Sequence, residues 1–155
     1  MDSEVVVSAF QDDSLGSDDA IVIAEKIKKG ELDAKTVTRD AIRRAELVNP
    51  KLNAITEKNF DFAQANSEKT FSGFFQGVPT FIKDTDEVPG LPLYLGSRSL
   101  PGEPSEKFSK AAKQIIDTGL NCLGTTTTPE FGLTGTTESL RFGATCNPWN
   151  PAYST

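Results

Sequence analysis

With 155 residues, 37% of them hydrophobic and 25% charged, the chain has the composition of a folded, soluble domain, not of a disordered one. Sixteen basic against 22 acidic residues leave a net charge of -6, which argues against a nucleic-acid partner, because a phosphate backbone needs a basic face. There is no histidine, so a Ser-His-Asp triad, a Cys-His pair and a His-ligated zinc are excluded from these residues alone.

Residues 1–16 are acidic, with Asp2 and Glu4 at the front, and read as an N-terminal arm closed by Gly16. The acidic start lacks the basic head of a secretory signal, and Val5-Val6-Val7 is far too short to span a bilayer. The expectation is a cytoplasmic protein with no membrane partner. Ser17 is positioned to cap a first helix, along which Ala20, Ile23, Ala24 and Ile27 keep helical spacing as far as Gly30. A second helix is expected from Asp33, with Val37, Ala41, Ala45 and Val48 as its apolar stripe and Asn49-Pro50 as its end.

Residues 52–56 form a short strand candidate, and residues 61–69 are weakly helical. Val78 to Ile82 reads as a strand with Pro79 near its start, where a missing donor matters least. Residues 84–104 carry four prolines and three glycines and form a long loop, of the kind that often serves function. Ser105 is the expected cap of the next helix, in which Phe108, Ala111, Ala112, Ile115 and Ile116 line one face before Gly119. Leu120 to Leu123 follows as a buried strand. Strand, crossover helix and strand make a βαβ unit and hence a parallel pair, so the fold class is α/β. Cys122 and Cys146 are too few for a disulfide framework and lack zinc spacing, and read as reduced, buried thiols.

Chemistry concentrates at Phe81-Ile82-Lys83-Asp84, a lysine at the end of an apolar strand that opens into the long loop. Sites collect at such strand ends, and a lysine partly withdrawn from water there can act as a base. Taken alone, Lys83 reads first as a side chain reaching for water and pairing with Asp84 or Asp86.

Five segments, in order, shift that balance. Gly77-Val78-Pro79-Thr80-Phe81-Ile82-Lys83-Asp84 resembles the Gly-[Ile/Val]-Pro-x-x-[Ile/Val]-Lys-Asp motif of the amidase signature family. Asn49-Pro50-Lys51-Leu52-Asn53-Ala54, the Gly90-Leu91-Pro92 and Gly96-Ser97 loop, the run Leu123 to Gly132 and the run Phe142 to Pro151 resemble its other segments. The likeness covers residues 17–155 and implies the N-terminal helices and first strands of a mixed sheet flanked by helices. One departure is Thr125, which stands where the family often has lysine.

The resemblance implies an amidase that cleaves carboxamide or linear amide C–N bonds with a lysine, a cis-bonded serine and a nucleophilic serine, and with no metal or organic cofactor. Lys83 is the catalytic lysine on this likeness, and Gly132 and Leu133 are expected to line the acyl pocket. Glu130 reads as a buried hydrogen-bonding carboxylate or a helix N-terminal residue and Trp149 as a packing anchor, neither of them catalytic. The Gly-Gly-Ser-Ser-Gly-Gly segment that bears the cis serine is not among these 155 residues, and Ser154, with no glycines around it, is not its equivalent. The sequence therefore reads as the N-terminal part of an amidase domain that stops short of that segment, with no activity expected of it alone. A non-catalytic relative and the amidase subunit of a tRNA-dependent amidotransferase are the alternatives. Helical stripes facing a small sheet would leave apolar surface exposed, so a homo-oligomer is one arrangement the chain allows.

Overall fold

The computed structural model describes residues 6–155; Asp2, Glu4 and the rest of the first five residues of the arm lie outside the described residues. Residues 6–16 form neither helix nor strand, yet they are docked. Val7 and Leu15 are buried, and the Val7 N–H donates to the Pro148 carbonyl at 2.8 Å. The Asp13 carboxylate receives the Arg44 guanidinium, with Nε at 2.9 Å.

Helix α1 (Ala20–Lys28) begins two residues later than its expected start. Asp19, not Ser17, is the cap, and its carboxylate accepts the N–H groups of Ile21 and Val22 at 2.9 Å. Ser17 is unavailable because the chain turns there, the Asp18 N–H bonding back to the Leu15 carbonyl. Helix α2 (Ala34–Leu52) is capped by Asp33, which accepts from the Thr36 N–H at 2.8 Å. It runs through Pro50 instead of ending before it. Pro50 falls in the last turn, where it leaves only the Glu46 carbonyl without its intrahelical donor, and Asn49 Oδ1 accepts the N–H groups of Ala54 and Ile55 at 2.8 and 3.0 Å. Asn53 closes the helix at φ 51°, the left-handed exit that asparagine tolerates.

The remaining elements are β1 (Ile55–Lys58), α3 (Phe60–Asn66), β2 (Pro79–Lys83), α4 (Lys110–Asp117), β3 (Asn121–Thr126), a short 3-10 turn η1 (Glu130–Gly132), β4 (Glu138–Ser139) and β5 (Gly143–Ala144). Ser109 rather than Ser105 caps α4, its hydroxyl accepting the Ala112 N–H at 3.2 Å. Ser105 is instead drawn back to the loop, its N–H bonded to the Leu91 carbonyl.

The main sheet has the order β1-β3-β2. β2 and β3 are parallel, as a βαβ crossover requires, and β1 is antiparallel to β3. β4 and β5 form a separate two-stranded ribbon. One apolar cluster joins Leu15, Ile23, Ala24, Val37 and Val78, under α1 and α2. A second joins Ile82, Val88, Leu91 and Ala112, under α4. Between them Asn121 is buried but fully engaged, donating to Thr38 Oγ1 and the Ala63 carbonyl and accepting from Asn66, as a polar group withdrawn from water must be. Gly124 is required where β1 crosses β3 closely: a Cβ there would stand 2.1 Å from the Glu57 carbonyl oxygen.

Candidate active site

Lys83 is the last residue of β2, paired with Thr126 at the end of β3. Both strands run the same way, so the loops that follow them leave from one edge of the sheet. Strand alternation decides where Lys83 points. Ile82 before it is buried in the α4 cluster and Asp84 after it is fully buried, while Lys83 between them is exposed. The expectation of a lysine withdrawn from water is therefore not met within this chain. The loop around Tyr94 and Gly96 covers the inner face of this strand end at Asp84, and the outer face at Lys83 is open.

The pairing alternative fails as well. Both Asp84 oxygens accept main-chain donors, Tyr94 N–H at 2.9 Å and Gly96 N–H at 3.0 Å. Asp86 accepts the hydroxyls of Ser109 at 2.6 Å and Thr85 at 3.0 Å. Among the described residues no carboxylate forms an ion pair with Lys83.

The long loop after β2 is held firmly at its middle. Burial pushes the Asp84 carboxyl above the usual carboxylate range, and the N–H groups of Tyr94, Gly96 and Leu95, together with the nearby Arg141 charge, work against that rise. These three N–H groups converge because Leu95 and Gly96 take φ of 48° and 65°, the left-handed pair that turns successive amides to one side. Gly96 also lies against the next loop, so close that a Cβ would meet the Thr128 carbonyl oxygen at 2.5 Å.

Two further side chains grip the same loop. Ser97, almost fully buried, donates its hydroxyl to Glu130 Oε1 at 2.5 Å. Arg141, from the turn between β4 and β5, donates to the carbonyls of Ser97 and Leu100 at 3.0 and 3.3 Å. Its guanidinium lies 3.7 Å from the centre of the Tyr94 ring, within cation–π range.

Gly132 and Leu133 follow β3 and therefore belong to the same edge as Lys83. The η1 turn is tied to the loop after β2 by the Phe131 N–H, which donates to the Leu95 carbonyl at 2.8 Å. Both residues are nevertheless exposed, Leu133 by 80%. Glu130 is a hydrogen-bonding carboxylate as expected, at the start of η1, though exposed instead of buried. Trp149 is no packing anchor in this chain. It is 75% exposed and lines an apolar cavity of about 380 Å³ with Val6, Phe10, Val48, Leu52 and Pro148. That cavity contains no titratable group and lies apart from Lys83. Thr125 is buried and exchanges a 2.7 Å hydrogen bond with Thr56, which settles it as a link between β1 and β3.

The other matched segments converge rather than scatter. Asn53 Nδ2 donates to the carbonyls of Phe142 and Ala144 at 2.7 and 3.0 Å, and Thr145 Oγ1 reaches both the Asn53 carbonyl and Thr127 Oγ1 at 2.8 Å. The segment ending α2, the run after β3 and the β4–β5 ribbon are thus joined by direct hydrogen bonds. Sequence reasoning missed the grip of Asp84 and Arg141 on residues 94–100. Asp84 stood inside a quoted motif, but its partners lie ten and twelve residues away in a loop with no periodicity.

The family model for Amidase matches residues 36–155, and AmiC of Mycobacterium bovis, assigned as an amidase, is 40% identical over 150 residues, 96% of this chain. The chain belongs to the amidase signature family. The structure of a 6-aminohexanoate cyclic dimer hydrolase complexed with substrate superposes with a TM-score of 0.82 at 33% identity, over 88% of this chain and 29% of that one. A glutamyl-tRNA(Gln) amidotransferase component from Prochlorococcus marinus is 29% identical over 83% of this chain and 28% of its own length. The family is shown, and with it the partial mixed sheet flanked by helices. This amidase chain spans 32% of the length of AmiC. Among its described residues no helix is long and apolar enough to cross a membrane.

Proposed function

We propose that Lys83 is the base of an amide-hydrolysing site of the serine, cis-serine and lysine kind, and that this chain supplies the lysine limb of it. The observation that carries this reading is Lys83 itself: a strand-end lysine within the matched motif, held between two buried neighbours and, among the described residues, paired with no carboxylate. A lysine locked to a carboxylate would keep its proton, whereas a free amine enclosed beside two serines can take one. In the proposed sequence the nucleophilic serine passes its proton to the cis serine and that serine to the Lys83 amine, while the serine oxygen attacks the amide carbonyl.

Lys83 is exposed in this chain, and enclosure would have to come from residues it does not supply. The substrate class proposed is a carboxamide or linear amide, with Gly132 and Leu133 on the acyl side. The 155-residue chain, holding neither serine, is expected to hydrolyse no simple aryl amide above the buffer rate. Turnover that disappears on Lys83→Ala would overturn that expectation.

The base role has its own test. Residues 17–155 replace the matching stretch of a 6-aminohexanoate cyclic dimer hydrolase, and hydrolysis of the cyclic dimer is followed. Loss of the base should lower kcat by about 10²- to 10⁴-fold in Lys83→Ala; an active graft indifferent to that substitution sinks the role. The amidotransferase reading rests on a lower identity than that to AmiC, and no residue of the site favours it.

A further inference from the structure

Three charged side chains from three different segments converge on residues 94–100: Asp84 at the end of β2, Glu130 at the start of η1 and Arg141 from the β4–β5 turn. Each satisfies polar groups of the loop, and none of the three is paired with Lys83. Of the three, Asp84 is the one that joins the loop directly to the residue following the lysine.

We propose that Asp84 is the positioning residue of the Lys83 site: by gathering the N–H groups of Tyr94, Leu95 and Gly96 it ties the loop to the strand end and so fixes which way Lys83 faces. The inference rests on the reading of Lys83 as the base and adds to it the group that aims that base. The backbone around Lys83 is pinned on both sides. Ile82 is sunk among Val88, Leu91 and Ala112. The Asp84 N–H donates to the Thr126 carbonyl at 2.8 Å while its carboxylate is seated in the loop, and the Lys83 carbonyl accepts the Asp86 N–H at 3.1 Å. With both neighbours fixed inward, the Cα–Cβ bond of Lys83 has a single outward direction.

The same carboxylate couples the two sides of the site. The loop it holds places the Leu95 carbonyl against the Phe131 N–H and Ser97 against Glu130, so the η1 turn that carries Gly132 is registered to the strand that carries Lys83. The charged group that bears on Asp84 is Arg141, from the β4–β5 turn. Asp84 touches no substrate in this arrangement; it acts through Lys83 and the loop.

Isotope-labelled 155-residue chain provides the test by NMR. Residual dipolar couplings of the Lys83 Cα–Cβ bond report its direction, and the amide signals of Tyr94, Leu95 and Gly96 report the loop. In the unsubstituted chain these couplings are expected to fit one fixed direction, and on acidification the three amide signals should move together with the Asp84 carboxyl carbon. Asp84→Asn should shift all three amides and shrink the Lys83 couplings by averaging over several directions. Gly96→Ala, which displaces the loop without changing any charge, should average them too, so a purely electrostatic effect of Asp84 is separated from positioning. Unchanged signals from Ala24 and Val37 certify that each variant is folded, and the titration of the unsubstituted chain stands even if one is not. Couplings already averaged before substitution, or couplings unmoved by both variants, would overturn the proposal. Failure of the base reading would appear elsewhere, as a graft whose hydrolysis survives Lys83→Ala.

Discussion

Asp13 and Asp84 both keep their carboxylates out of water, but the first is held by arginines and the second by main-chain amides. Around Asp13, Arg44 and Arg43 from α2 bind the arm to the helix, and Arg44 also donates to the carbonyls of Gln11 and Gly16. Hydrogen bonding from Arg44 outweighs burial and holds the Asp13 carboxyl at about 2, against an ordinary 3.8. At Asp84 burial prevails and the carboxyl is raised. The first arrangement is a staple between two elements. The second gives a loop its shape at the cost of an ionised group that the fold accommodates imperfectly, and it stands beside the candidate catalytic lysine, where such strain is commonly spent.

Substitutions that break each grip should separate the two regions. The largest loss is expected from Arg44→Ala, which takes the main cationic partner from a buried carboxylate, leaving it Arg43 and main-chain donors, and unpairs two carbonyls; it should cost roughly 3–5 kcal/mol, read from the urea midpoint at constant slope. A loss below about 1 kcal/mol, the range of an exposed pair, would show that the arm is not anchored through Asp13. Asp84→Ala leaves the Tyr94 and Gly96 amides without an acceptor, at a cost of about 3 kcal/mol. Its damage should be local: hydrogen exchange should quicken at residues 94–97 and stay slow in α2. If α2 exchanges equally fast, the loop and the helix pair are one cooperative unit and the contrast between the regions dissolves.

Gly96→Ala should cost about 2 kcal/mol, from a left-handed backbone and a Cβ that would overlap the Thr128 carbonyl. It sharpens the comparison because it disturbs the Asp84 loop without altering charge. The smallest effect concerns acid. A depressed folded pKa stabilises above the ordinary value, so the Asp13 contribution, on the order of 1–2 kcal/mol once solvent screening is allowed for, should vanish as pH falls below 3.8 and on through about 2. Asp84 has the opposite sign: its ionised form weakens the fold at neutral pH, and protonation relieves that as pH falls through its raised value. Asp13→Asn should therefore flatten the acid limb of stability and Asp84→Asn should steepen it. Parallel acid limbs in the two variants would contradict these assignments.

How much of this could be read in advance differs from element to element. The apolar spacing of α1, α2 and α4 and the strand before Lys83 were legible because each is a local pattern. Cap positions were less so: Ser17 and Ser105 look as able as Asp19 and Ser109, and only the turn at residues 15–18 and the Ser105–Leu91 hydrogen bond decide between them. Pro50 read as a stop because what holds the helix end, Asn49 Oδ1 accepting from residues 54 and 55, lies in a fold-back beyond the proline. Lys83 was legible as a position and a residue type, but its exposure was not, since burial depends on whatever packs over a strand end. Arg141 carried no signal at all, for its partners stand 41 and 44 residues away.

From the amino-acid sequence alone came the alternation of helix and strand, the parallel crossover and a lysine at a strand end with no histidine to take its place. Side-chain periodicity and residue chemistry are properties of neighbouring positions, and they survive being written in one dimension. Which carboxylate meets an arginine, which meets three amides, and which lysine meets neither was decided only by the tertiary structure. Buried polar groups take whatever partner the folded chain brings within reach, and that proximity is not recorded in spacing along the chain.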